Sequence, residues 1–208
     1  KAFHTLTEAF QNCLKRFPTT VCFVLALTAY LAYLVSTEMD DEKKLTLVLG
    51  YYFSVGTLLS LTLHLWSEEI KNRIKEISVH IVMHVLLIAD AVYLYSLSPE
   101  RSLTEISIAH GAAILALWLS VFFLSFTQEK NDIPSWNFAS YTVGAFVTAN
   151  VVGLIMSGGI SLLVFSLHQL FDVDVSWKCY LYILVVCSVL LPMLLFLGML
   201  PKNKLKHN

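Results

Sequence analysis

The residues with chemical potential are few, and they sit in apolar surroundings. His80, His84 and Asp90 lie on one apolar segment and, at 100° per residue, share about a third of its circumference. An ionised carboxylate in hydrocarbon costs about 3 kcal/mol on insertion scales. Asp90, the acid in the interior of an apolar run, must therefore face protein and find a partner or a proton. His64 closes the preceding run at a depth similar to His80; His110 lies in the following run, and Asn150 and His168 in the one after. Three chemistries compete for this set. The first is structural: side chains hydrogen-bonding between helices. The second is a proton or ion path through Asp90 and the histidines. The third is a metal or haem, because His80 and His84 have the i,i+4 spacing of a helical metal clip, with His64 as a third ligand. No HExxH accompanies that pair, and only His64 with His80 offers two histidines at equal depth for haem. No nucleophile motif, glycine-rich phosphate loop or pair of acids appears, so no catalytic residue, metal ligand or cofactor is assigned.

The elements that must position these groups follow from composition. Of 208 residues, 57% are hydrophobic and only 14% charged, against about a quarter charged in soluble domains. Mean hydropathy is +0.69. Uncharged runs of about 20 residues match the 30 Å hydrocarbon core. Six spans are predicted: 19–35, 45–66, 77–97, 103–126, 138–171 and 177–200. The expectation is an all-α polytopic helix bundle at 18–201, preceded by an amphipathic interfacial helix at 1–17 and followed by a basic cytoplasmic tail at 202–208. Phe3, Leu6, Phe10, Leu14 and Phe17 make the apolar stripe of that first helix, and Thr5 with Glu8 fits a capping box. Asp40 and Ser67 are candidate caps, Ser102 with Glu105 sets a start near Leu103, and Pro192 predicts a kink. The four cysteines have no metal-type spacing and read as buried free thiols. The chain does not begin with Met, and the expectation is a piece of a longer protein.

The fifth span is expected to be the central helix. Ala145, Ala149, Gly153 and Ser157 recur every four residues and form a groove where another helix can come close. Gly158-Gly159 is the expected bend in a run too long for one straight crossing. Span three and span four are joined by a short loop, and counting inward from it puts Asp90 and His110 at one depth; the two are expected to pair, with Arg101 as the alternative partner. Ten lysines and arginines fall on the side of the two termini against four on the other, which puts both termini in the cytoplasm. Tyrosine and tryptophan belts agree: Tyr33, Tyr93 and Tyr95 fall at the outer boundary, Trp66, Trp136 and Tyr141 at the inner one.

The pattern KRFPTTVCFVLALTAYL (15–31), with WNFASYTV (136–143), SGGISLLVFSLHQLFDVDV (157–175) and FLGMLP (196–201), resembles the membrane part of the bacterial proteins grouped as domain of unknown function 4153. The resemblance implies a multi-span protein of the bacterial cytoplasmic (inner) membrane and brings no activity or catalytic residue. The first functional reading is a scaffold or subunit-type bundle whose partners are the lipid bilayer and a further domain of the same chain or other membrane subunits. The alternative is a transporter or proton/ion-conducting module using the Asp90 face; a membrane enzyme with a His-ligated metal comes third. A net charge of −1 without a basic patch argues against nucleic acid.

Overall fold

A computed structural model of the chain describes residues 13–37, 43–67, 73–97, 99–123 and 133–200. Their secondary structure is entirely helical: α1 Pro18–Ser36, α2 Lys43–Ser67, α3 Arg73–Ser96, α4 Pro99–Phe123, α5 Ile133–Phe171 and α6 Trp177–Met199. All six contain a stretch long and apolar enough to cross a membrane. The chain is an all-α helix bundle of the multi-pass membrane class. Its outer surface agrees: α3 exposes Ile81, Val82, Val85 and Leu86, and α5 exposes Leu154, Ile155, Leu162 and Leu163.

Helix ends follow local chemistry. Pro18 opens α1 and Pro99 opens α4, in the first turn, where a backbone N–H has no intrahelical acceptor to lose. The start expected near Leu103 is therefore a turn too late, and Ser102 lies within the helix. Ser67 belongs to α2 rather than to a following helix; its hydroxyl donates to the His64 carbonyl at 2.7 Å. Ser176 caps α6, its Oγ accepting from the Lys178 N–H. At the end of α5, Asp172 turns the chain at φ 50° and His168 Nδ1 donates to the Val173 carbonyl at 2.6 Å. The interfacial helix expected at 1–17, the candidate caps Thr5, Glu8 and Asp40, and the tail 202–208 lie outside the described residues, apart from 13–17. There, residues 13–16 form a helical turn, and Cys13 and Phe17 are buried against the bundle. Burial pushes the Cys13 thiol up to about 11, against the opposing pull of Arg16. The Arg16 guanidinium donates to the Leu200 carbonyl at 2.8 Å, so the start of the first span is tied to the end of the last. At the opposite end Lys178 Nζ donates to the Ser36 carbonyl at 3.2 Å. The four cysteines are free thiols; Cys13 and Cys187 are buried, but Cys22 is exposed on α1.

The centre of the bundle is α2, not α5. Half of α2's apolar window is buried, against 6% for α5. The reason is compositional. Gly50, Ser54, Gly56, Thr57, Ser60 and Thr62 put small and hydroxylic residues around much of α2, which lets neighbours approach from several sides. α5 buries such residues along one stripe only; Gly144, Thr148, Gly158 and Gly159 lie exposed on its other faces beside large apolar side chains such as Leu154 and Ile155.

One local expectation changes and another is sharpened. α5 is one continuous helix of 39 residues, running through Gly158 and Gly159. At 1.5 Å per residue it measures about 58 Å. A Cβ on either glycine would meet nothing within 4 Å, so no neighbour pushes the chain there. In lipid a broken helical turn would leave backbone groups without water to replace their partners. The irregularity falls instead in α6, where Val186–Leu190 form a π turn and the Leu191 N–H reaches back five residues to the Val186 carbonyl. In that register the next donor would be residue 192, which as proline has none. The Cys187 carbonyl is thereby left for another partner.

Candidate functional site

α2 presents its polar side chains to α3 at two levels. At the first, the Tyr51 hydroxyl donates to Asp90 Oδ2 at 2.5 Å. Tyr51 is 4% exposed, so the acid's bond is made to a group enclosed by the bundle. The His110 ring packs edge-on against the same tyrosine, centroids 5.5 Å apart. The partner the structure gives Asp90 is Tyr51 rather than His110, and the two expected partners meet the same side chain, the acid at its hydroxyl and the imidazole at its ring. The cause is the central position of α2. α3 and α4 each pack extensively along it and touch one another only slightly. The alternative partner Arg101 is among the side chains outside those described.

At the second level lie Ser60, His84 and His80. His84 Nδ1 bonds the His80 carbonyl at 2.8 Å, and its Nε2 lies 3.1 Å from Ser60 Oγ. A carbonyl only accepts, so Nδ1 carries a proton, and in the neutral ring Nε2 then accepts from the serine hydroxyl. Both ring nitrogens of His84 are engaged within the bundle. Its ring packs 5.6 Å from Phe23, which itself covers Gly56 so closely that a Cβ there would strike the phenyl ring. The His80 ring lies nearly parallel to His84, centroids 6.2 Å apart, and reaches the Leu63 carbonyl. His64 packs edge-on against Phe17 at 4.8 Å. Among the described residues, no three His, Cys, Asp or Glu side chains are placed to hold a metal ion.

The remaining candidates are local. Asn150 Nδ2 donates to the Phe146 carbonyl of its own helix at 2.8 Å. His168 closes the α5 turn described above. The groove, by contrast, is occupied as its spacing implies. Ala145, Ala149, Gly153 and Ser157 are all buried. A Cβ at Gly153 would fall on the Pro192 ring and 2.5 Å from the Cys187 carbonyl. The glycine's Cα therefore lies against the carbonyl that the π turn and Pro192 leave unpaired, an approach suited to a weak Cα–H···O contact.

Tyr51, Ser60, Gly56 and Phe23 are the site residues that the sequence reading missed. A signal was present in the small and hydroxylic composition of α2. Compared with known proteins, the chain matches no family model, no curated protein and no solved structure.

Proposed function

We propose that this chain is a structural subunit or scaffold bundle of a bacterial cytoplasmic membrane, with both termini cytoplasmic. The observation that carries the reading is the Tyr51–Asp90 bond: the one acid in the interior of a span has its partner inside the bundle. Support comes from His84, whose two nitrogens are both used internally, and from Asn150, which bonds its own helix. Side chains engaged in this way join helices or are satisfied along their own, rather than wait for a substrate. The distribution of lysine and arginine, ten against four, supports the orientation. The closing block from Trp136 to Pro201 supports membership in the bacterial group named above, with partners in the bilayer or elsewhere in a longer chain.

The test is a flux assay. Purified protein in liposomes, under a pH gradient or a potassium diffusion potential, is expected to give proton and ion leak equal to empty vesicles. An Asp90→Asn-sensitive flux above that background would replace this reading with a conducting one.

A further inference from the structure

An open groove of about 290 Å³ runs between α2 and α3, at the end of the bundle where α1 gives way to α2. Val48 of α2 and Ala91 of α3 are buried and form its floor. Leu45 and Tyr52 of α2, with Ile88 and Tyr95 of α3, are more exposed and form its rims. Ala91 is what opens it, since the residues about one turn to either side, Ile88 and Tyr95, are large. From Leu45 to Tyr52 the groove follows the helix for about 10 Å. Every side chain lining it is aliphatic or a tyrosine ring. A cation is fixed at one end. Lys44, next to Leu45, holds its ammonium 5.2 Å from the centroid of the Tyr95 ring and donates to the Leu97 carbonyl.

We propose that this groove is a phospholipid site: one acyl chain lies between α2 and α3, and the headgroup phosphate meets Lys44. The walls decide the body of the ligand. A slot of aliphatic chains and rings suits an alkyl chain and offers a polar ligand little to bond. Lys44 decides the head. An ammonium carries three donors, and the Leu97 carbonyl uses one. Its contacts among the described residues are a carbonyl and a ring, so no carboxylate there neutralises the charge. The same two contacts hold the side chain in place before a ligand arrives, which lowers the ordering cost of binding. The position decides the source of the phosphate. α2 begins here and α3 ends here, so the ammonium stands at the boundary where headgroups lie, and the groove runs from it into the hydrocarbon.

The probe is dioleoyl phosphatidylglycerol, titrated into the purified protein and read by native mass spectrometry. Ala91→Leu fills the floor of the groove and should weaken the first lipid bound about tenfold or more. Lys44→Gln keeps a donor for the Leu97 carbonyl and removes the charge, and should weaken it about fivefold. Dioleoylglycerol, with the same chains and no phosphate, should bind the parent more weakly by a similar factor. Equal binding of the two lipids overturns the headgroup contact, and an Ala91→Leu protein that binds like the parent overturns the groove. A parent dimer that Ala91→Leu converts to monomer would make the groove an interface between copies, which also overturns the proposal. Should the variants fail to fold, phosphatidylglycerol carrying a photoactivatable diazirine on one chain decides with the parent protein. Adducts concentrated in 45–52 and 88–95 uphold the site; adducts equally frequent on the exposed faces of α5 overturn it.

Discussion

Where α5 meets α6, the glycine backbone is in direct contact: the Gly153 Cα lies against the Cys187 carbonyl and the rigid Pro192 ring. Where α2 meets α3, contact is made by side-chain tips: Tyr51 reaches Asp90, and Ser60 reaches His84. Both seams answer the same difficulty. Lipid tails are as apolar as leucine, so burial gives helices little reason to associate, and the attraction must come from close packing or from hydrogen bonds. The first seam tolerates almost no added volume, because a carbonyl and a proline ring cannot move aside. The second tolerates adjustment of side chains but not the loss of a partner. Their sensitivities to mutation should therefore differ in kind.

The largest effect is expected at the backbone seam. Gly153→Leu places a bulky side chain into the Pro192 ring and the Cys187 carbonyl, and should cost about 3 kcal/mol or more. Size-exclusion of detergent extracts should show the monodisperse folded peak lost. Gly158→Leu, five residues along the same helix with nothing within 4 Å, should fold like the parent or slightly better. Equal behaviour of the two would erase the distinction drawn here. A smaller loss is expected at Gly56→Ala. There the obstacle is the Phe23 ring, which can rotate, so overpacking should cost about 1–3 kcal/mol, read as a lower thermal midpoint. Smaller again is Ser60→Ala, which leaves His84 Nε2 without its donor. It should cost about 1 kcal/mol, and Ser60→Thr should recover part of it in the same melt. No recovery would mean that volume rather than the hydroxyl matters there.

The two seams were unequally legible in the sequence. Small residues every four positions need only one helix to be recognised, so Ala145, Ala149, Gly153 and Ser157 could be read directly. What they pack against could be read only by halves: Pro192 signalled an irregular turn, but the π register and its unpaired carbonyl depend on how α6 winds. The six spans were legible for the same reason as the groove, since length and apolarity belong to each segment alone. The polar seam was not. Asp90 and His110 have equal depth along neighbouring spans, yet depth says nothing of the helix against which both spans pack. Tyr51 reads in sequence as one more aromatic in an apolar run, and its role appears only when α2 occupies the centre. A break of the helix at Gly158-Gly159 is absent for a related reason. Glycine permits a break, but a break also needs a neighbour to impose it, and none is there.

The claim that the intramembrane acid is a structural contact is tested most directly by a double-mutant cycle of Tyr51→Phe and Asp90→Asn, read as thermal stability in detergent. If the hydroxyl and carboxylate hold α2 to α3, the two losses are non-additive, with a coupling of about 0.6–1.7 kcal/mol, the span from average to largest for intramembrane side-chain bonds. The parallel cycle of Asp90→Asn with His110→Gln should show less coupling, since His110 meets the acid only through the tyrosine ring. Additive losses for Tyr51 and Asp90, or a stronger coupling of Asp90 to His110, would contradict the account and return the acid to the path reading.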